Sequence, residues 1–304
     1  MKFTIFFRTL FASSFLLFYA NSIQSQDGGL VFEEVIVTAE KRDESLQSVS
    51  QAVTAITDSE IDAKNITSFV DLSTIVPGVT VAKNEGYKTI ISIRGVGNET
   101  NQNAIAAPSV AYHMDGIFIA SPFSLQTDFI DVQRIEVLRG PQGTLFGQNS
   151  TGGAINVISN KPTTDERFSK ADITYGDYGM KQLRSSSNFP ISENVSTKLS
   201  LSAMTREGFT KNLETGQDLD DAHNLSFRTD WMIDVNDTTS LRIFGQYSSV
   251  DRNGAAIRGI DDQSPGMRKL SQNTISKQEL TSSVFAMIFE TDLGYASLKI
   301  LASS

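Results

Sequence analysis

The chain has 304 residues, a formal net charge of −9, two histidines and no cysteine. The acidic balance argues against a nucleic-acid partner, because phosphate binding needs clustered Lys and Arg. With His113 and His223 as the only histidines, the sequence offers no disulfide, no thiolate metal site, no histidine metal cluster and no base for a nucleophilic triad. Composition therefore argues against a metalloenzyme or a nucleophilic hydrolase, and it predicts no catalytic residue, no metal and no cofactor.

The first residues carry the pattern of a secretory signal peptide. Lys2 and Arg8 form a basic start, and the apolar stretch over 9–20 is too short to cross a bilayer as a helix. Small and polar residues follow, so we predict a cleaved signal peptide over 1–26, with cleavage between Ala20 and Gln26. An uncleaved anchoring or amphipathic helix is the alternative interpretation.

A short β-branched segment comes next, between polar flanks. It comprises Glu33, Glu34, Val35, Ile36, Val37, Thr38 and Ala39. Strand propensity alone would make this segment the N-terminal strand of the domain that follows.

Between Glu33 and Lys161 the periodicity predicts a small mixed α/β unit. A strand over 53–56 leads into a capping box at Thr57 and Glu60, which begins a helix through about Lys64. A second helix is predicted over 67–74, ending before Pro77-Gly78. Further strands are predicted over 79–81, 90–94, 111–119, 135–138 and 154–158.

A glycine-rich stretch separates the last two of these strands. It runs Arg139-Gly140-Pro141-Gln142-Gly143-Thr144-Leu145-Phe146-Gly147 and continues at Thr151-Gly152-Gly153. Glycine between strands marks tight turns or the close approach of another backbone. A phosphate-binding loop is the alternative, but the Lys-Ser/Thr ending and the strand–loop–helix context of that motif are missing.

Beyond Lys161 the sequence alternates between apolar and polar residues. Leu199, Leu201 and Ala203 share one face of a predicted strand, opposite Lys198, Ser200 and Ser202. Segments of about ten alternating residues are typical of outer-membrane strands, although a soluble sandwich with one wet face is an alternative for any single segment. Six or seven strands are predicted, over 168–175, 180–189, 194–204, 224–233, 240–248, 278–289 and 295–301.

Five motifs, in this order, resemble the TonB-dependent outer-membrane receptor family. They are Asp71 to Val79, Ile91-Ser92-Ile93-Arg94-Gly95, Asp115-Gly116-Ile117-Phe118, Ile130 to Pro141, and the glycine-rich stretch. The likeness is close over 34–162 and general beyond. It implies an α+β plug domain followed by antiparallel transmembrane β-barrel strands. We therefore predict a signal peptide over 1–26, a periplasmic segment over 27–44, a plug over 45–162 and the first part of a barrel over 163–304.

The resemblance also implies roles for particular residues. Glu33 to Ala39 would be the TonB box, which hangs into the periplasm and binds TonB by strand addition. Arg94 and Arg139 would contact barrel glutamates and seat the plug. Close packing of plug backbone would involve Gly95, Gly140, Pro141, Gly143, Gly147, Gly152 and Gly153, and the plug loops that face the ligand would present Asn98, Glu99, Thr100, Asn101, Gln102, Ser121 and Phe123.

The function implied by the family is active, TonB-powered transport of a scarce ligand across the outer membrane. A ferric siderophore is the family's usual ligand, and a carbohydrate or another organic nutrient is the alternative. A passive channel would need neither plug nor TonB box, and a periplasmic enzyme would need convergent titratable groups that the sequence does not supply. The implied partners are TonB, outer-membrane lipid and an iron–siderophore complex.

Strand number sets a further expectation. Plugged transporters close their barrels with about 22 strands, so six or seven strands are expected to be the N-terminal part of a longer receptor, which would not transport alone. Too few residues separate the cleavage region from Glu33 to form the extra signalling domain that some family members carry.

Overall fold

The computed structural model describes residues 35–38, 42, 44–84, 88–97, 108–121 and 124–304. A mixed α/β domain comes first and contains α1 (Asp58–Ala63), α2 (Leu72–Ile75) and α3 (Gly143–Phe146). Single 3-10 turns cover Phe69–Asp71 and Ser124–Gln126. Its strands are β1 (Ile36–Val37), β2 (Glu44–Ser45), β3 (Val53–Thr57), β4 (Val79–Asn84), β5 (Lys88–Ile93), β6 (Val110–Met114), β7 (Ile117–Phe118), β8 (Val132–Arg139) and β9 (Gly153–Ser159).

A five-stranded mixed sheet organises this domain. Its strand order is β3-β8-β9-β6-β7, with β6 parallel to β9 and the other neighbours antiparallel. One face, which includes Ile135 and Ile155, packs under α1, α2 and the β4–β5 hairpin. The opposite face carries a smaller apolar cluster around Leu138. The sheet therefore has an apolar core on both sides. Each fully buried aliphatic side chain contributes about 1.5–3 kcal/mol to the stability of the fold.

The capping box at the start of α1 is present as predicted. The Thr57 hydroxyl accepts from the Glu60 N–H at 3.4 Å, and the Glu60 carboxylate accepts from the Thr57 N–H at 3.3 Å. The single helix predicted over 67–74 is instead a 3-10 turn that continues into α2. The Asp71 carboxylate accepts from the backbone N–H of both Thr67 and Ser68 at 2.8 Å, which accounts for the tight first turn.

The prediction of one strand over 111–119 is wrong. The chain reverses at Asp115 and Gly116, whose φ angles are 52° and 89°, and β6 and β7 form a hairpin. An Asp-Gly pair adopts positive φ at little cost, which is why it favours a two-residue hairpin turn.

A seven-stranded antiparallel sheet forms the second part of the structure. Its strands are β10 (Phe168–Gly176), β11 (Met180–Ser192), β12 (Val195–Arg206), β15 (Ala222–Asn236), β16 (Thr239–Arg252), β18 (Gln278–Asp292) and β19 (Ser297–Ser303). They are hydrogen-bonded in the order β10-β11-β12-β15-β16-β18-β19, which confirms the strands predicted from alternation. Three short strands, β13 (Thr210–Asn212), β14 (Asp218–Leu219) and β17 (Lys269–Leu270), pair within the connections.

The connections differ between the two ends of this sheet. Tight turns at 193–194, 237–238 and 293–296 lie at one end, and the long connections 207–221 and 253–277 lie at the other, together with the short turn at 177–179. Outer-membrane barrels have short periplasmic turns and longer extracellular loops, and this asymmetry fits a sheet whose long-loop end is extracellular.

The large sheet buries its polar face and exposes its apolar face. On β15, Arg228 and Asp230 are each 2% exposed, whereas Phe227 and Trp231 are 43% and 41% exposed. This pattern is the reverse of a soluble sandwich, and it fits strands whose outer face meets lipid and whose inner face meets the plug. The sheet is not closed, and β10 and β19 are its edges.

In the described part of the chain, no helix is both long enough and apolar enough to cross a membrane.

Candidate functional site

The N-terminal strand β1 lies against the mixed α/β domain, which corresponds to the predicted plug and is called the plug below. Ile36 pairs with Ser45 and Val37 with Glu44, and Val37 is fully buried in the cluster around Leu138. The expectation of a segment that hangs free is therefore corrected for residues 35–38: they occupy the position of an N-terminal plug strand, because the sheet covers the apolar Val37 side chain. Glu33, Glu34 and Ala39 lie outside the described residues.

A buried carboxylate holds the end of this strand. Glu136 on β8 is fully buried, and its Oε1 accepts from the Thr38 N–H at 2.8 Å and from Arg134 Nε at 2.8 Å. The Thr38 hydroxyl lies 3.1 Å from both carboxylate oxygens, and Asn156 Nδ2 donates to Oε2 at 3.2 Å. We call Thr38, Arg134, Glu136 and Asn156 the Glu136 anchor.

A second buried network joins the plug to the barrel sheet. Asp115, at the β6–β7 turn, pairs with Arg228 Nη2 at 2.7 Å and with Arg242 Nη1 at 3.4 Å. Asp230 pairs with the same two guanidinium groups, at 3.0 Å and 2.6 Å. All four side chains are at most 5% exposed. We call these four residues the Asp115 seat.

The charges of the Asp115 seat balance, since two carboxylates face two guanidinium groups. Burial alone would raise the pKa of Asp115, but Arg228, Arg242 and hydrogen bonds from Ser159 outweigh it and hold that pKa below its usual range. Ser159, on β9, donates from its hydroxyl to Asp115 at 2.8 Å and accepts from Arg242 Nη2 at 2.8 Å. The seat is therefore a buried, charge-balanced and hydrogen-bonded contact between plug and barrel.

Other contacts repeat this polarity, with plug carboxylates accepting from barrel donors. Lys198 Nζ lies 2.8 Å from Asp131 Oδ2, and the Ser200 hydroxyl donates to the same oxygen at 3.0 Å. Asn224 Nδ2 donates to Asp128 Oδ1 at 3.0 Å, nearer the long-loop end. Inward-facing polar residues of β12, β15 and β16 are thus among the donors that seat the plug.

The two arginines expected to seat the plug lie elsewhere. Arg139 Nη2 donates to the Thr54 hydroxyl at 2.6 Å, which is a contact inside the plug. Arg94 is exposed, with a φ of 53°, and its backbone N–H donates to the Gly78 carbonyl at 2.7 Å. At the Asp115 seat the Asp115 carboxylate lies on the plug and the guanidinium groups lie on the barrel sheet. The available signal was the charged Arg228, Asp230 and Arg242 on the polar faces of membrane strands.

Close backbone approach occurs at two of the predicted glycines. A Cβ at Gly153 would lie 2.3 Å from the Leu138 carbonyl oxygen, and one at Gly152 would lie 2.8 Å from the Val96 carbonyl oxygen. Both distances are shorter than a real Cβ contact, so only glycine fits there. The remaining predicted positions have no such neighbour or are exposed: Gly95, Gly140, Gly143 and Gly147 have nothing within 4 Å of a built Cβ, and Pro141 is exposed.

Most of the expected ligand-facing residues lie outside the described part of the chain, namely Asn98, Glu99, Thr100, Asn101, Gln102 and Phe123. Ser121 is half-buried, and its carbonyl accepts from the Ser124 N–H at 3.1 Å. The turn that follows meets the long-loop end of the sheet, where Gln278 donates to Gln126 at 3.2 Å. Within the described residues, no group of three or more His, Asp or Glu side chains could hold a metal.

Asp128 is an ionisable group at the plug–barrel contact with an altered pKa. Burial raises the pKa of its carboxyl to about 6, against smaller lowering effects from Asn224 and Arg252. Its Oδ2 is buried and has no hydrogen-bond partner among the described residues, and a cavity of about 80 Å³ lies beside it. Ionised Asp128 is therefore poorly solvated at neutral pH.

Asp128→Asn is expected to stabilise the complete receptor at neutral pH. The carboxyl pKa is raised from 3.8 to about 6 on folding, so its stabilising contribution is present below pH 3.8 and is lost as the pH rises through 6. The contribution of this carboxyl group to the free energy of unfolding thereby falls by about 3 kcal/mol. Urea unfolding of parent and variant at pH 4.5 and pH 7.5 should show the advantage of the variant growing with pH. Asp237→Asn, in an exposed tight turn, is the control, and an equal pH response in all three proteins would contradict the expectation.

These features define a class of protein: a plug seated by buried ion pairs on the polar face of an antiparallel sheet whose other face is apolar, as in a plugged outer-membrane receptor. A family model described as TonB-dependent Receptor Plug Domain matches residues 45–154. This match and the relatives described below support the assignment of the chain to the TonB-dependent receptor family. That family consists of transport receptors rather than enzymes, and the protein is located in the outer membrane.

Relatives agree with this assignment. The chain is 30% identical over 169 residues to the pesticin receptor of Yersinia enterocolitica, covering 55% of this chain and 24% of that protein. It is 26% identical over 271 residues to the iron-regulated outer membrane virulence protein of Vibrio cholerae, covering 85% of this chain and 40% of that protein. The chain thus spans less than half the length of these relatives.

The fold is shared with solved receptors. The ferric yersiniabactin uptake receptor of Yersinia pestis matches with a TM-score of 0.70 at 20% identity, over 83% of this chain and 40% of that chain. The siderophore receptor PiuA of Acinetobacter baumannii matches with a TM-score of 0.69 at 15% identity, over 86% of this chain and 37% of that chain.

Proposed function

We propose that this chain is the plug and the first barrel strands of a receptor that imports a ferric siderophore across the outer membrane with energy supplied through TonB. The observation that carries the proposal is the plug seated by the Asp115 seat against the inward face of membrane strands. A plug in that place blocks passive flow, so passage needs a rearrangement driven by energy. The names of the relatives, an iron-regulated protein and a ferric yersiniabactin uptake receptor among them, support iron as the cargo.

Energy coupling is assigned to the N-terminal segment Glu33 to Ala39. It would bind TonB as an added strand, in which backbone hydrogen bonds give affinity and alternate side chains give selection. Exposed Ile36 beside buried Val37 supports this role, because a two-residue pairing with β2 is short and easily exchanged for a longer one. Arg94 and Arg139 remain candidates for contacts with further barrel strands, and Asn98 to Gln102, Ser121 and Phe123 for contacts with the ligand.

Uptake by the complete receptor, meaning this chain with the strands that close its sheet, tests the proposal. In an iron-starved host without its own siderophore receptors, radiolabelled iron should accumulate from at least one of a panel of ferric catecholates, hydroxamates and phenolates. Accumulation should stop in the same host lacking TonB. Labelled oligosaccharides in parallel assays test the alternative of an organic nutrient. Uptake that continues without TonB would identify a passive channel and refute the proposal.

A further inference from the structure

The Glu136 anchor connects the N-terminal strand to the centre of the plug sheet. Glu136 and Asn156 face each other in the register of β8 and β9, on the face that Val37 covers. Thr38 reaches across 98 positions of sequence to bind Glu136. We infer that Glu136 is a positioning residue for energy coupling: its carboxylate holds the N-terminal strand on the plug, and the strand reaches a partner only after Thr38 leaves it. This step rests on the proposed role of Glu33 to Ala39.

The anchor supplies the charged hydrogen bonds that hold the strand. The β1–β2 pairing has only two residue pairs, and a two-stranded ribbon of that length is unstable by itself. Val37 adds one fully buried side chain, Val35 packs partly against the same cluster, and the Leu46 N–H donates to the Val35 carbonyl at 2.9 Å. Hydrogen bonds from an N–H to a buried carboxylate are shorter and roughly twice as strong as neutral ones. The Thr38 contacts with Glu136 are therefore the strongest directional link between the strand and the plug.

The geometry also makes this link reversible. When Thr38 leaves, Oε1 of Glu136 keeps its ion pair with Arg134 and Oε2 keeps the amide of Asn156. A buried carboxylate without any partner would cost several kcal/mol, whereas here two donors remain. Release of the strand thus exposes Val37 and the Thr38 donors but leaves the charge inside the plug satisfied. A carboxylate with its own permanent partners suits a contact that opens and closes in every transport cycle.

Release of the strand would also act near the barrel. Asn156 of the anchor and Ser159 of the seat network lie on the same strand, β9. Ser159 hydrogen-bonds Asp115, which pairs with Arg228 and Arg242 of the barrel. A pulling force applied through Thr38 therefore acts on β9 at Asn156. That position is three residues from Ser159, which belongs to the network that binds the barrel wall.

Thiol labelling tests the inference, because this chain contains no cysteine. Val37→Cys and Ile36→Cys form a matched pair, since Val37 is fully buried and Ile36 is 43% exposed. In ligand-free complete receptor in outer-membrane vesicles, Ile36→Cys should react quickly with a small maleimide and Val37→Cys slowly. Adding Glu136→Gln should raise the rate at Val37→Cys by about tenfold, and adding Thr38→Val by about threefold. The rate at Ile36→Cys should stay unchanged in both backgrounds.

Two further measurements separate positioning from general stability. Thr38→Ser keeps the hydroxyl donor and should restore slow labelling at Val37→Cys. Ligand-free Glu136→Gln receptor should also bind the purified C-terminal domain of TonB about tenfold more tightly, because less of the binding energy is used to free the strand. If the receptor with Glu136→Gln does not assemble, the comparison of Thr38→Val with Thr38→Ser tests the inference by itself.

Fast labelling at Val37→Cys in the parent receptor, or rates unaffected by both substitutions, would overturn the inference. Labelling needs neither ligand nor TonB, so its outcome is independent of the uptake assay. A receptor that labels as expected but takes up iron without TonB would refute the proposed function and leave the anchor as a structural contact. A receptor with TonB-dependent uptake but unprotected Val37→Cys would refute the anchor alone.

Discussion

Asp115→Ala in the complete receptor is expected to unseat the plug, at a cost of about 3–5 kcal/mol. The substitution leaves Arg228 and Arg242, at most 5% exposed, with Asp230 as their remaining carboxylate. One buried positive charge would then be uncompensated, and breaking a buried ion pair from one side costs far more than the pair contributes as a whole. Alanine also fits poorly at the φ of 52° that this turn requires.

Asp115→Asn separates the charge from the backbone effect. Asparagine tolerates the same turn geometry and retains an acceptor for Ser159, so its expected loss reflects the missing charge alone. The temperature at which the receptor loses its heat-modifiable form should fall for both variants, more for alanine. Entry of a large antibiotic that the plug normally excludes should rise in parallel. Asp261→Asn, in an exposed long-loop position, is the control. Stability and permeability unchanged in both Asp115 variants would show that other contacts seat the plug.

The strands of this protein were predictable because their physical cause is local. Alternation of apolar and polar side chains follows from the period of a strand, and the capping box of α1 involves residues three positions apart. The β6–β7 hairpin was missed because apolar residues on both sides of Asp115-Gly116 conceal the turn, although that dipeptide is itself a hairpin signal. The 3-10 turn before α2 depends on the Asp71 carboxylate, and the backbone N–H groups that donate to it cannot be read from periodicity.

The site was less predictable because its contacts join distant parts of the chain. Asp115 and Arg228 are 113 positions apart, and Thr38 and Glu136 are 98 apart. Alternation along β15 and β16 places Arg228, Asp230 and Arg242 on polar strand faces, but their partners are set by how the plug sits against the sheet. Likewise, the β-branched character of Val35 to Thr38 is equally suited to pairing with the plug and pairing with TonB. Only the burial of Val37 shows that, in this structure, the segment packs on the plug.

Ile36→Pro is expected to abolish energised uptake while ligand binding at the cell surface stays at the parent level. Proline removes the N–H that strand addition would use and restricts the preceding residue. The loss of one strand hydrogen bond, together with the restricted backbone of the preceding residue, should weaken TonB binding by more than about tenfold. The substitution also loosens β1 from β2, but a released strand that cannot pair with TonB still transmits no force. Energy-dependent accumulation and surface binding of the same labelled ligand are the two measurements.

Ile36→Ala is the matched control, because it truncates the same 43% exposed side chain and keeps the backbone N–H. It should retain most uptake, since backbone hydrogen bonds supply the affinity of strand addition. Equal loss of binding and uptake in Ile36→Pro would place this residue in the folding core of the plug rather than at a coupling site. Unchanged uptake in Ile36→Pro would remove residues 35–38 from energy coupling. The Glu136 anchor would then hold a permanent N-terminal strand of the plug.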